Sequence, residues 1–403
     1  MASSFLVRSH RVPAALVGLG LADRLVDRPQ AEGTLFVVAG LAAAAAVPAA
    51  YWARRPRDVM AVVDCGSGGT RATTFGRRGD VVVVVDSRRV EGRVVVADAL
   101  ADETAADDFA SAVAAAAARR VPVYVGATGG ARVVFAGKQL LAAGSSDSSD
   151  SSCLLRASLV KAVPTATFEV VSAEDEARYE LLAARYDLGD ASIGVLSGGG
   201  SSVQLANDDD ALSVSLDSYK GFDLVRHKGP VAGAAIHDWE CRRRVVNAVY
   251  DRRRHGDGRK NKKLPRKKLE GPFACIELAN KTLALALDKA LELLPKWNRD
   301  PKYHDDDAKD RGILLSKAEA LEVLAIFQRD LLQRSHHLDD MEVNYLVYVV
   351  HLAAVLDLAF DDDASFLVRP RRNKDPSSSS KEATPACRWP LGFYLAQHPS
   401  LLR

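Results

Sequence analysis

Short apolar runs that end in glycine dominate the first half of the readable pattern. Ala61-Val62-Val63 predicts a buried strand, Gly66-Ser67-Gly68-Gly69 a tight turn, and Thr70 to Phe75 the returning strand. Val81 to Asp86 and Arg93 to Val96 continue the strand-like pattern. An alanine-rich stretch from Asp102 to Arg119 predicts a helix, and Val121 to Val125 a strand running into Gly126-Ala127-Thr128-Gly129-Gly130. The serine-rich segment Gly144 to Ser152 reads as an exposed loop. Thr167 to Val171 returns to strand, and Ser172 is placed to cap a helix. Tyr179, Leu182, Ala183 and Tyr186 mark the face of that helix at i, i+3, i+4 and i+7 spacing. Ile193 to Leu196 predicts a second strand ending in Gly198-Gly199-Gly200, followed by Ser201-Ser202-Val203-Gln204-Leu205. From Glu270 onward the pattern is mostly helical, with helices predicted over Ile276 to Leu294, Lys317 to Leu332 and Val343 to Phe360.

Two strand–glycine turn–strand hairpins about 130 residues apart, with helix and strand between them, predict a duplicated α/β fold whose turns face each other across a cleft. A length of 403 residues suits two lobes of ordinary size. Charged residues at 26% and hydrophobic residues at 48% exclude a disordered chain, a collagen-like repeat and a polytopic transporter. The balance of 54 Lys+Arg against 52 Asp+Glu gives no bulk signal for a nucleic-acid partner. That near-neutral sum averages a local excess. Residues 242–268 carry 13 Lys and Arg against two Asp, read as a solvated insertion or a steering patch for polyanions or an anionic membrane.

The first 57 residues read as an address. Gly33 to Ala53 holds 21 residues without a charge, enough at ~1.5 Å per residue to span a bilayer core of about 30 Å. Tyr51 and Trp52 sit where interfacial aromatics lie, and Arg54, Arg55 and Arg57 follow. A late cleaved signal peptide, with Val47-Pro48-Ala49 as its small-residue site, and an alanine-rich linker are the other readings. Arginines on both flanks leave orientation open. The five cysteines show no metal-type spacing. They are free in a reducing compartment, or, Cys65 apart, form two bridges, with Cys241 and Cys275 the first pair to consider.

Glycine turns let several backbone N–H groups converge on one anion because no Cβ intervenes. Ser67, Thr70, Ser201 and Ser202 add hydroxyl donors, and Arg71 and Arg132 guanidinium groups, so two such turns suit two adjacent phosphates. Asp64, at the end of its strand, is placed either to hold Mg²⁺ or Ca²⁺ through water or to stabilise the hairpin as an Asx-turn. Glu176 lies among first-turn acids of its helix, a position explained either by the helix dipole or by a general base for water. His237-Asp238-Trp239-Glu240-Cys241 and His304-Asp305-Asp306-Asp307 contain metal-capable groups at no established spacing and read as exposed. No Walker A, HExxH or GxSxG motif occurs, which sets those chemistries aside.

Together these blocks resemble the nucleoside phosphatase (apyrase) family. Asp64-Cys65-Gly66-Ser67-Gly68-Gly69-Thr70-Arg71 is similar to its Asp-Ala-Gly-Ser-Ser-Gly-Thr-Arg signature, and Gly126-Ala127-Thr128-Gly129-Gly130-Ala131-Arg132 to its second. Ser172 to Tyr179 resembles the third, Ser197 to Gln204 the fourth, and Arg388-Trp389-Pro390-Leu391-Gly392-Phe393-Tyr394 the closing segment. The resemblance implies two actin-like (ribonuclease H-like) lobes with a nucleotide cleft: residues 58–168 plus 385–403, and 169–384. It implies Glu176 as base aided by Gln204, and phosphate contacts from Gly66, Ser67, Gly68, Gly69, Thr70, Arg71, Gly199, Gly200, Ser201 and Ser202. Mg²⁺ or Ca²⁺ would be held through water by Asp64, Thr128 and Ser197. The implied activity is removal of terminal phosphate from nucleoside tri- or diphosphates, by a single-pass membrane protein whose body faces the secretory lumen or cell exterior.

Two departures open rival readings. Ser197 stands where the family carries Asp, which implies weaker metal binding and allows a nucleotide binder without turnover. Glu176-Ala177 is the pattern of the related exopolyphosphatase family, which implies linear polyphosphate as substrate.

Overall fold

The computed structural model describes residues 56–66, 69–90, 96–100, 102–117, 121–129, 131–132, 151–198, 202–216, 218–251, 268–303, 312–334, 338–369 and 388–402. The candidate membrane segment 33–53, His304 to Asp307, residues 252–267 of the basic run and the turn residues Ser67, Gly68, Gly199, Gly200 and Ser201 lie outside them.

The same strand order occurs twice. In the first sheet β1 (Arg57–Gly66), β2 (Gly69–Arg78) and β3 (Val81–Arg89) form an antiparallel meander, while β4 (Val123–Ala127) and β5 (Ala166–Val170) extend it in parallel, giving the order β3-β2-β1-β4-β5. In the second, β6 (Gly194–Gly198), β7 (Ser202–Ala206) and β8 (Ala211–Ser215) form the meander. The parallel strands there are β9 (Pro272–Ile276) and β11 (Ser365–Val368), with β10 (Ile313–Ser316) antiparallel at the edge. This is the duplicated α/β arrangement expected from the two glycine hairpins. The parallel strands are short, largely buried apolar runs, as strands covered on both faces must be.

Helices α1 (Glu103–Ala116) and α2 (Ser151–Ala162) cover one face of the first sheet, where Phe109, Val113, Leu155 and Leu159 meet Val63 and Val125. The second sheet carries α4 (Ser218–Lys228), α5 (Pro230–Asp251), α6 (Glu277–Leu293), α7 (Lys317–Gln333) and α8 (Asp340–Ala359) around one large core. α8 is long and apolar enough to cross a membrane, but Val347, Val350, Leu352 and Leu356 bury it within that core.

α3 (Ala173–Leu188) stands between the sheets and has two buried sides rather than one. Tyr179, Ala183 and Tyr186 pack with the first sheet and α9 (Trp389–Gln397), and Val82 N donates to Tyr186 Oη at 2.7 Å. Ala177, Leu181 and Ala184 pack on Val195, Ala206 and Ala274 of the second sheet. Leu182, expected on the buried face, is only half-buried, because two packing surfaces rotate the helix away from a single stripe.

Other expectations need correction. The region after Glu270 is mostly helical, as expected, but three strands that the pattern does not predict, β9, β10 and β11, lie there as four- and five-residue runs too short for periodicity to distinguish from helix. Val96 belongs to a helical turn, Val96–Ala99, not to a strand. Residues 242–251 of the basic run continue α5, and Arg242 bonds Asp238 at 2.9 Å and Asp357 of α8 at 2.6 Å. Cys65, Cys241 and Cys275 are free and buried, so the Cys241–Cys275 bridge is absent. Cys241 faces two histidines from α5, whereas Cys275 pairs with Leu196 inside the sheet.

The C-terminal helix returns to the first sheet at very close range. A Cβ on Gly392 would lie 1.6 Å from Tyr179 O. Gly392→Ala is therefore expected to cost about 3 kcal/mol by overpacking, read as a lower urea midpoint for loss of tertiary structure.

Candidate active-site cleft

β1 and β2 meet at Gly66 and Gly69, which sets Asp64 opposite Arg71 and Cys65 opposite Thr70. Gly69 has φ of 134°, a conformation that glycine adopts without a Cβ clash. In the second sheet the equivalent turn lies between Gly198 and Ser202. Gly66 and Gly69 of the first hairpin and Gly198 and Ser202 of the second line one cavity of about 610 Å³. Its wall contains Asp64, Gly66, Gly69, Thr70, Arg71, Thr128, Glu176, Ser202 and Gln204, so the described candidates from both hairpins converge. Ser197 is the exception. It is fully buried on β6 behind the wall, where its side chain meets the carboxyl of Glu180.

Ser172 caps α3 by accepting from Asp175 N at 3.0 Å, and this places Glu176 in the first turn. Arg132 comes from the turn after β4, where Ala131 N and Arg132 N both donate to Thr128 O. Its Nη1 lies 2.7 Å from Glu176 Oε2 and 3.0 Å from Val171 O. Arg132 is thus committed to Glu176 and does not line the cavity, contrary to its expected place beside phosphate. Gln204 Nε2 donates to Ser202 Oγ at 2.7 Å, and the Gln204 side chain also bonds Glu176.

Four carboxylates share the cleft. Removal from bulk water pushes Asp64 up to about 6, against the hydrogen bond from Trp389 Nε1 at 2.9 Å and the pull of Arg388 and Arg71. Glu176 is raised by burial, with Arg132 and Gln204 opposing. Glu180, one turn later on α3, is held well above the ordinary carboxylate range by burial and by the charges of Glu176 and Glu277. Its Oε2 has no hydrogen-bond partner. Glu277 is pushed up to about 7, chiefly by enclosure in the cleft, although Arg388 lies 3.0 Å away. Its backbone φ of 51° is left-handed, strain of about 1–3 kcal/mol for a side chain of this size. Arg71, Arg89, Lys281 and Arg388 set four cations against these carboxylates on the same wall.

Glu180, Glu277, Arg89, Lys281 and Arg388 escaped the sequence reading. Two had a usable signal: Glu180 follows Glu176, and Lys281 follows Glu277, at the i, i+4 spacing that puts both on one helix face. Arg388 stands directly before Trp389 in the closing segment. Nothing local marks Arg89, which reaches the cleft through its pairing with Arg71 across β2 and β3.

No family model matches the chain, and no curated protein matches its sequence. Some solved structures resemble it loosely. A Ppx/GppA family member from Aquifex aeolicus is 14% identical, covering 85% of this chain and 98% of its own, with a TM-score of 0.48. An exopolyphosphatase-like protein is 16% identical over 86% and 99%, TM-score 0.45. An exopolyphosphatase from Cytophaga hutchinsonii is 15% identical over 77% and 94%, TM-score 0.45. Likeness this loose assigns neither family nor activity, so any function must come from the cleft itself.

The raised carboxylates carry a pH signature. Below the unfolded-state values, 3.8 for Asp64 and 4.5 for Glu277, these groups are protonated in both states and leave stability unchanged. As pH rises towards about 6 and about 7, the folded state binds more protons than the unfolded one, so stability falls. In chelator-treated protein, Glu277→Gln is expected to raise Tm by a few degrees at pH 8 and leave it unchanged at pH 4. Calorimetry at both pH values checks this.

Proposed function

We propose that the chain is a divalent-cation-dependent phosphoanhydride hydrolase that releases terminal phosphate from a polyphosphate chain. The observation that carries this reading is Glu176, held by Arg132 and Gln204 at the wall of a cavity that four cations line. A carboxylate raised by burial and still opposed by an arginine is suited to accept a proton near neutral pH. Water oxygen would bond to the terminal phosphorus, the bridging P–O bond would break towards the leaving phosphate, and the water proton would pass to Glu176. Arg71, Arg89, Lys281 and Arg388 would hold the equatorial and leaving oxygens.

A hard divalent cation fits the donors present. They are oxygens, they crowd negative charge, and one of them, Glu180 Oε2, is buried without a partner. Among the described residues no three cleft carboxylates bring one oxygen each within 4.8 Å of one another. That spacing suits Mg²⁺ kept largely in its water shell, with Asp64, Thr128, Glu180 and Glu277 around it. Such a cation supplies charge neutralisation on the phosphate oxygens.

Polyphosphate is preferred to a nucleotide for a reason on the described wall. Trp389 is its one aromatic residue, only 3% exposed, with Nε1 committed to Asp64. It offers no open face on which a base could stack. The nucleoside tri- or diphosphate reading stays second, supported by the motifs Gly126-Ala127-Thr128 and Trp389-Pro390-Leu391-Gly392. The lobes, as we assign them, are residues 58–168 with 385–403 and residues 169–384, and segment 33–53 is the proposed membrane anchor.

Phosphate release from polyphosphate, ATP, ADP, GDP and UDP, with Mg²⁺ or Ca²⁺, separates these readings. Glu176→Gln is expected to lower turnover by about 10²–10⁴-fold with substrate affinity retained. Unchanged turnover would sink the assignment. Binding without release at any cation concentration, restored by Ser197→Asp, would instead identify a non-catalytic phosphate binder.

A further inference from the structure

Away from the cleft, α5 and α8 bring three soft-donor side chains together inside the core. His237 and Cys241 stand four residues apart on α5 and face α8, which contributes His351. Far from being exposed, as their sequence context suggests, they are 2%, 1% and 2% accessible. Among the described residues, these form the one group of three His, Cys, Asp or Glu whose donor atoms all lie within 4.8 Å of one another. His237 Nε2 lies 2.6 Å from His351 Nε2 and 3.6 Å from Cys241 Sγ. Gly221 of α4 makes room for the first ring, since a Cβ there would sit 2.4 Å from His237 Nε2.

We propose that His237, Cys241 and His351 form a structural site for Zn²⁺, independent of the reaction assigned to the cleft. Imidazole nitrogen and thiolate sulfur are the donors this ion takes, at about 2.0–2.1 Å and about 2.3 Å in a tetrahedron. Those bond lengths put nitrogen and sulfur about 3.6 Å apart, which matches the Cys241–His237 separation of 3.6 Å. They put the two nitrogens about 3.3 Å apart, so the imidazoles need to part from 2.6 Å by under ~1 Å. Binding releases the Cys241 thiol proton to solvent and requires each ring to carry its remaining proton on Nδ1. Asp238 and Glu240 place negative charge near Cys241, and Arg244 places positive charge near both Cys241 and His351.

A second observation points to a ligand here. Beside His351 lies a small cavity of about 10 Å³, close to the room one water needs. Thr282 lines it, fully buried, with no hydrogen-bond partner for Oγ1. A water there would satisfy Thr282 beside His351. Gly198 and Leu278 wall both this cavity and the cleft.

Full-length chain, stripped of metal and reconstituted with Zn²⁺, is expected to hold about one ion per chain by mass spectrometry and to gain several degrees in Tm. With Co²⁺ instead, a thiolate-to-cobalt band should appear in the near ultraviolet and be absent in Cys241→Ser. His351→Asn should lower zinc affinity by more than tenfold. If that variant does not fold, the cobalt spectrum of the unaltered protein decides alone. Folded protein that shows neither the thiolate band nor a zinc-dependent Tm overturns the proposal, as does undiminished zinc retention in Cys241→Ser.

Discussion

Four carboxylates in one enclosed cleft are the constraint on which the rest of this molecule depends. Withdrawal from bulk water raises the cost of ionising all four, Asp64, Glu176, Glu180 and Glu277, and the charges of Asp64, Glu176 and Glu277 each add to that cost for at least one other. The fold contains the compensation. Arg132 is spent on Glu176 and Arg388 on Glu277, and Trp389 Nε1 donates to Asp64. Two of these three come from the last sixteen residues, which explains why the chain end must return across the first sheet. That return is held by apolar contact: Tyr124 stacks on Phe393 with ring centroids 3.7 Å apart, and Tyr394 is fully buried. Gly126 permits it, because a Cβ there would lie 2.4 Å from the Trp389 ring.

α3 turns that electrostatic problem into a fixed geometry. Its first turns carry Glu176 and Glu180, while its two flanks pack on different sheets. The helix dipole favours negative charge at this end, worth about 0.3–1 kcal/mol per group, which does not match the desolvation that raises both acids. Burial decides the protonation and the dipole only moderates it. Because one rigid element meets both walls, a shift of either sheet moves Glu176 relative to the opposite turn.

Legibility followed locality. The paired strands, the Ser172 cap and the place of Glu176 in the first turn of its helix could be read because each depends on a few adjacent residues: glycine between the strands, serine for the cap, acids after it. The order of strands was implied only through the repetition of that local pattern. What stayed hidden depends on contacts between distant segments. Arg132 reads as a phosphate ligand until its carboxylate partner 44 residues away is in place. His237 and Cys241 read as surface residues until α8 covers them, and β10 and β11 are too short to show a period. Ser197 shows the same limit, for its carboxyl neighbour Glu180 lies on another element, 17 residues away in sequence.

The charge pattern of the cleft also bears on how a substrate would enter it. Four cations and four carboxylates line the same wall, so the cavity is neither an anion trap nor a cation trap. A bare phosphate chain would be drawn by Arg71, Arg89, Lys281 and Arg388 but would further oppose the ionisation of Glu180 and Glu277, which burial already disfavours. A free divalent cation meets the converse balance. A phosphate chain with its cation already chelated presents both signs at once and meets each group with its complement, so the two are best taken up as one unit. On the proposed function, electrostatic complementarity would select for the paired species. The buried acids, costly in isolation, would then be the means by which the cleft distinguishes a metal-bound polyanion from an unaccompanied one.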